Sequence, residues 1–539
     1  MKIIFQNPVV NIVKALSRKE LLIFYSALLI FVVSGLTYAV LVLKTQTYSV
    51  PTEGGSYREG VVGQPSFISP VIPSTPEIDT TIASLLFASL VDMSETIKSS
   101  DDGLVWNVRL KDGITWHDGE KLTSDDIIFT VDVIHNPESR SPLHPSFQGV
   151  SASRVSELEV EFTLPNPYAF FEEEHLTSLR PIPKHLFADL PVTNYKLTPY
   201  GLNPVGSGPY MVASHDRNSR GFIEEFKLKA NKEYFDKPPY ISNLIFKFFR
   251  KDSELISSYN LGQIDGFGLA TAEPLSEKSI IIRNDAHFLD SSRYYAVFIN
   301  QSVAPAELQE LSVRRALASS VNRDDLISEV FDSHAVPFFA PTNFGTQLTQ
   351  GESASDSLNG LVLNLVVPDE PFLIKTAELL ERDWKVAGAE VNLIIKSLRD
   401  IQEDVLRNTS YEMILFGNIV KESNDLFAFW HSSKRFFPDQ NLALYQDDQT
   451  DELLEDYRST FSADARQNIL EAISARIASE VPAVFLYSPQ YTYISTPSLG
   501  GFDDTKTINT SDDRFDDVTQ WFVKSRRTFR KPLEIEEEK

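Results

Sequence analysis

Residues 21–43 (LLIFYSALLIFVVSGLTYAVLVL) run for 23 positions without a charge, and no other feature constrains the fold of this chain as strongly. Coiled as a helix at ~1.5 Å per residue, the run reaches about 34 Å, enough to cross a hydrocarbon layer ~30 Å thick with some tilt. Lys2, Lys14, Arg18 and Lys19 precede it, and after it only Lys44 lies close. The positive-inside bias therefore puts residues 1–20 in the cytoplasm and everything beyond residue 44 outside the cell membrane. A cleaved secretory signal, with Thr37-Tyr38-Ala39 as its processing site, is the competing reading. Length favours a retained single-pass anchor, because a signal core is usually ~7–15 residues.

The part outside is acidic. The 539-residue chain has 50 Lys plus Arg against 75 Asp plus Glu, a formal charge of −25. Five of the bases and one acid fall in residues 1–44, which leaves the remainder at −29. Nucleic acid is thereby disfavoured as the main ligand, since phosphate binding needs a cationic face. The absence of cysteine removes disulfides, thiol nucleophiles, Cys-ligated zinc and a lipidated-cysteine anchor. Residues 44–56, polar and containing Pro51 and Gly54-Gly55, read as a linker. Residues 524–539 turn from basic (Arg526, Arg527, Arg530, Lys531) to acidic (Glu534, Glu536, Glu537, Glu538) and read as a mobile tail, solvated rather than laid on lipid.

Between these ends the pattern is α/β. WNVRL (106–110) and LEVEFTL (158–164) alternate with the period of half-buried strands, and Thr123 caps a helix opening SDDIIFTVDVI. The clearest unit spans 361–396. LVLNLVV is a strand, Pro368 to Pro371 start a helix, and Leu373, Ala377, Leu380, Trp384 and Ala387 form one apolar helical face. Gly388 ends that helix and VNLIIK is the next strand, so the segment is a βαβ unit. A helix at 401–407 then leads into the strand YEMILF (411–416). Residues 241–268 repeat the logic with ISNLIFKFF, DSELISSYNL and IDGFG. Two separate units of this kind predict two α/β lobes. Ligands of open α/β sheets bind beyond the carboxyl ends of the strands, which points to Gly417, Asn418 and Ile419.

Motifs for bond-making chemistry are missing. The nine His are scattered singly and form no two-His metal spacing; His117 and His431 read as packing or surface residues. Gly206-Ser207-Gly208 is followed by Pro209 rather than a helix, so no nucleophile elbow is expected. No phosphate loop, dinucleotide fingerprint or calcium loop is present. A carboxylate pair of glycosidase type is disfavoured, although such pairs meet only in three dimensions. No enzyme activity, metal or cofactor is expected. Of the aromatics, Phe427-Ala428-Phe429-Trp430 follows the expected pocket edge, where Trp430 reads either as a ligand-facing ring or as packing.

Several segments, in one order, resemble the extracytoplasmic solute-binding proteins of the oligopeptide/dipeptide/nickel-binding group, which serve ATP-binding-cassette importers. They are residues 57–70, 85–91, VRLKDGITWHDGEKLTSDDIIFTV (108–131), NPVGSGPY (203–210), NKEYFDKP (231–238), 297–300 and SVRRALASSVNRDDL (312–326). The resemblance covers roughly 57–523. It implies a two-lobed periplasmic-binding-protein-like fold of type II with a hinge between the lobes, preceded by one transmembrane helix. Lobe 1 would comprise 57–290 and 486–523, and lobe 2 would comprise 291–485. It also implies a monomer that captures a peptide-like or similar organic solute by hinge closure and passes it to a permease with a separate ATPase. Ligand contacts would come from Phe67 in lobe 1 and from Gly417, Asn418, Ile419, Asp425 and Trp430 in lobe 2. The chain departs from the group's Gly-Trp-x-x-Asp stretch: Asn418 replaces the Trp, and Lys421 stands where an amine-binding Asp is usual. A cation there repels a ligand ammonium, so Asp425 is the substitute expected for that role. The alternative is the same fold kept as a ligand sensor or surface interaction module without transport, and an extracytoplasmic hydrolase is a third reading.

Overall fold

The apolar run forms the helix Arg18–Gln46, opened by a reciprocal cap in which Ser17 and Glu20 bond each other's backbone N–H. Its stretch Arg18–Tyr38 is long and apolar enough to cross a membrane by length and composition, a test that a signal sequence also passes. The computed structural model describes residues 17–269, 285–302, 305–342, 355–421 and 423–529. Lys2, Lys14 and the tail from Arg530 onward lie outside the described residues.

The βαβ unit read at 361–396 is present as Val362–Pro368, Pro371–Val386 and Glu390–Lys396, with the two strands parallel and in register from Val362↔Glu390 to Pro368↔Lys396. Leu373, Ala377, Leu380 and Trp384 are buried on the helix face that meets the sheet. This unit forms one edge of a six-stranded sheet in the order Ala335–Pro337, Ala483–Pro489, Arg293–Ile299, Met413–Ile419, Val362–Pro368, Glu390–Lys396. Central strands here are covered on both faces, which explains why RYYAVFI and AVFLYSP are nearly continuous apolar runs. Tyr295, Val297 and Ile299 pack on one side, and Tyr294, Ala296 and Phe298 on the other.

The other lobe has an eight-stranded mixed sheet and a four-stranded antiparallel one. The unit read at 241–268 supplies Asn243–Phe249, Asp252–Asn260 and Gly266–Gly268, but its two strands are not neighbours. Ser56–Val62 lies between them, parallel to both. The strands read near 106 and 158 pair in the smaller sheet, and Thr123 forms a reciprocal cap with Asp126 on the helix Ser124–His135.

Two quoted motifs meet inside this lobe. His117 accepts from Gly206 N–H through Nδ1 (3.1 Å) and donates from Nε2 to Gly208 C=O (3.1 Å). A Cβ on Gly206 would fall 1.9 Å from Leu86 O, so that glycine is required by close backbone approach. The WHDGE turn and the PVGSGPY segment are thus a packed joint, with His117 in the packing role read from sequence.

Sheet membership changes at Ser292, between Asp285–Ser291 and Arg293–Ile299, and at Gln490, between Ala483–Pro489 and Tyr491–Ser495. The boundary expected at 485/486 therefore falls inside a strand, because all of Ala483–Pro489 is buried in the lobe 2 sheet. The ends of the body also differ from expectation. Thr47–Pro51, read as linker, pairs antiparallel with Ser525–Phe529, read as mobile tail. Backbone pairing of two polar segments far apart in sequence leaves no trace in local hydrophobic pattern.

Candidate ligand cleft

The two lobes enclose a cavity of about 820 Å³ beside the crossings. Its lobe 1 wall comes from Gly60–Gly63, from Glu77 and Thr81 on the helix Glu77–Leu86, and from 508–511 with Arg514. Its lobe 2 wall comes from Arg293, Tyr295, Glu370, Phe372, Phe416 and Gly417.

The strand Met413–Ile419 reaches this cavity with one edge uncovered. Arg293–Ile299 pairs with all of it, whereas Val362–Pro368 pairs only with Met413 and Ile414. Among the described residues, no strand covers the outer edge beyond Ile414. Val420 N–H donates to Ser292 C=O (3.0 Å), so amides on that side belong to Val420 and Asn418. Backbone groups alternate sides in an antiparallel pair, and those of Gly417 and Ile419 therefore face the uncovered edge. Gly417 lies against Tyr295, whose ring would be 2.7 Å from any Cβ at this position.

Below the lobe 1 wall is a buried polar network. Arg514 Nη2 and Nε donate to Glu59 Oε1 at 3.0 and 3.2 Å, Tyr493 Oη donates to Glu59 Oε2 at 2.9 Å, and Tyr57 Oη is 2.9 Å from Tyr493 Oη. Burial pushes the Glu59 carboxyl up from its ordinary value while Arg514 pulls it down, with burial the larger effect. Ser511 donates to Glu77, and Thr81 donates to Asp512, which burial raises to about 6.

The six residues expected to touch ligand separate in space. Gly417 lines the cavity, and Asn418 and Ile419 continue its strand; the Asn418 side chain is buried and donates to Tyr294 Oη at 3.2 Å. Asp425 lies apart, held by Arg458 (2.7 Å) and by Tyr168 Oη (3.1 Å). Trp430 is fully buried among Phe298, Tyr445 and Phe485 in lobe 2. Phe67 is buried against Gly201, with the Lys196 ammonium over its ring at 5.7 Å. None of these three lines the cavity. Lys421 is half exposed, 3.8 Å from Glu174. The sequence reading missed Glu77, Arg293, Tyr295, Glu370 and Arg514. They come from four separate segments, Arg293 and Tyr295 sharing one strand, and none sits in a motif for ligand binding.

Residues 90–357 match the family model of the bacterial extracellular solute-binding proteins, family 5. The oligopeptide-binding protein AppA of Bacillus subtilis is 23% identical over 496 residues, 84% of this chain and 89% of that protein. The chain belongs to the family 5 solute-binding proteins. The substrate-binding protein CtaP of Listeria monocytogenes superposes on this family 5 member with a TM-score of 0.74 at 23% identity, covering 87% of this chain and 99% of that one. AppA of B. subtilis with a nonapeptide gives 0.66 at 21%, covering 88% and 100%. NikZ of Campylobacter jejuni with Ni(L-His) gives 0.66 at 20%, covering 87% and 99%. The two-lobed fold is common to them. Like its family, the chain is a solute-binding protein, and it carries an N-terminal apolar helix.

Proposed function

We propose that this protein is a membrane-anchored, extracytoplasmic receptor that captures a peptide-like solute in the interlobe cleft and passes it to an ABC permease powered by a separate ATPase. The observation that carries the reading is the uncovered strand edge at Gly417–Ile419 beside an 820 Å³ cavity. An extended peptide can add to such an edge, taking affinity from main-chain hydrogen bonds and selectivity from side-chain pockets. The nonapeptide complex of AppA supports a peptide, while the Ni(L-His) complex of NikZ marks how varied the solutes on this fold are.

In this reading Gly417 and Ile419 supply backbone contacts, and Asn418 braces the strand through Tyr294. Asp425 does not meet the ligand ammonium, because Arg458 already neutralises it; Glu77, Asp252 and Glu370 on the cavity wall are the carboxylates available for that charge. Arg293 is exposed on the same wall and suits a ligand carboxylate. A ligand touching both lobes stabilises the closed state only by its differential affinity, which is why the contacts must come from both walls. The helix Arg18–Gln46 keeps the receptor at the membrane, with the N-terminus inside.

Native mass spectrometry of the full chain in nanodiscs, offered a mixed oligopeptide library, tests the proposal. Retention of peptide masses is expected. Retention of a non-peptide solute with no peptide would refute the ligand class, and hydrolysis of the library would refute the receptor role.

A further inference from the structure

The segment read as a mobile tail returns to the membrane end of the molecule. Thr47 follows the last helical residue directly and begins a strand that pairs from Thr47↔Phe529 to Pro51↔Ser525. Thr52 N–H to Lys524 C=O (3.0 Å) and Gly54 N–H to Tyr240 C=O (2.8 Å) carry the pairing on into lobe 1. With Leu43 at the edge of the hydrocarbon, four more helical steps lift the chain ~6 Å to Thr47, and a headgroup layer is about 5–8 Å thick. The ribbon therefore starts at headgroup depth. Tyr48, 50% exposed, lies where interfacial aromatics are common.

The charge of the ribbon is basic. Lys524, Arg526 and Arg527 are exposed, and the two arginines project from opposite faces of the ribbon. Arg527 leans back along the ladder, so that its Nη1 is 3.4 Å from Thr47 Oγ1, on the first residue past the helix. Residues 524–529 hold three bases and no acid, in a chain whose part beyond residue 44 stands at −29. An acidic body is repelled as a whole by an anionic bilayer, and here the opposite charge is concentrated where the chain emerges from it.

We infer that the ribbon of Thr47–Pro51 and Ser525–Phe529 docks on anionic phospholipid headgroups and thereby sets how the body stands over the bilayer. The inference rests on the helix Arg18–Gln46 being a retained anchor. Basic groups close to an anionic surface each shift such an equilibrium about fivefold, so Arg526 and Arg527 together shift it about 25-fold.

The test uses the full chain in nanodiscs of phosphatidylcholine with or without phosphatidylglycerol. Ser219→Cys, exposed and the sole thiol in this cysteine-free chain, carries a donor dye, and headgroup-labelled lipid carries the acceptor. Phosphatidylglycerol should change the transfer efficiency and narrow its distribution, R526Q/R527Q should return both to their phosphatidylcholine values, and R526K/R527K should restore them. Salt should weaken the effect, since the screening length is ~10 Å at 0.1 M. Indifference of the parent protein to phosphatidylglycerol, or unchanged behaviour of R526Q/R527Q, would overturn the docking role. Alkaline carbonate extraction separates the two claims: release of the chain from membranes refutes the anchor, whereas an embedded chain indifferent to lipid charge refutes the ribbon alone.

Discussion

In the hinge motion proposed above, opening of the cleft has to pull Phe170 out of the opposite lobe, and that step can be measured. The residue follows the four-stranded sheet of lobe 1, yet it is 2% exposed and belongs to the lobe 2 cluster with Tyr457, Leu470 and Ile473. Its ring is 5.1 Å from that of Tyr457, and the Arg466 guanidinium lies over it at 5.0 Å. Adjacent contacts cross in the same place: Ala169 N–H to Arg458 C=O at 2.7 Å, Tyr168 Oη to Asp425 at 3.1 Å, and Ser423 to Glu174. Burial of a phenylalanine side chain is worth about 1.5–3 kcal/mol, and a partly shielded cation–π contact adds ~0.5–1 kcal/mol. Phe170→Ala should thus favour the open form by about 2–4 kcal/mol, a shift of roughly 30- to 1,000-fold at 1.4 kcal/mol per decade. Spin labels at Ser153→Cys and Glu452→Cys, both exposed and on opposite sides of the contact, report the lobe separation by pulsed electron resonance. The ligand-free parent should give a narrow, short distribution and Phe170→Ala a longer and broader one. Superimposable distributions for the two proteins, with both folded, would refute the idea that this contact holds the lobes together.

Other expectations concern single sites. Ile419→Pro removes an N–H that faces the uncovered edge without touching the pairing to Arg293–Ile299, so peptide affinity by calorimetry should fall about two- to tenfold while the melting temperature holds; equal affinity would exclude edge addition there. Arg514→Leu leaves the Glu59 carboxylate buried without its cation and should cost about 3–5 kcal/mol in urea unfolding, and a loss below about 1 kcal/mol would contradict the network described. Burial lowers His117 to about 4 from 6.5. The unfolded chain then takes up its proton first, and this contribution is intact above pH ~6.5 and drains away as pH falls towards 4, by up to about 3 kcal/mol. Burial raises Asp512 to about 6 and Asp516 to about 7, which slopes the other way. The His117 part is therefore read as the difference between the parent and His117→Gln across that range, and parallel pH profiles would refute it.

Elements with a strong local period were legible in the sequence. The helix Pro371–Val386 and its flanking strands appear where the spacing of Leu373, Ala377, Leu380 and Trp384 puts them, because a face that must be buried imposes its period on the residues. The cap Thr123–Asp126 and the strand leading to Gly417 were legible for the same local reason. Asp425 and Trp430 lie off the cavity, which the sequence could not show because type and position in a motif carry no information about neighbours. Arg458, 33 residues on, claims the carboxylate, and the aromatic side chains of Phe298 and Phe485 enclose the indole. The insertion of Ser56–Val62 between two strands of one apparent unit is a choice among sheet orders that the same pattern would satisfy equally.

What the sequence determined on its own is the apolar helix, the α/β periodicity and the family, each written in neighbouring residues. Only the tertiary structure decided which side chains wall the cleft, that Phe170 seats in the far lobe, and that the C-terminal strand returns to Thr47. Those outcomes depend on pairings between segments up to 482 residues apart (Thr47 with Phe529), whose energy comes from shape and backbone hydrogen bonding and so leaves no period to read.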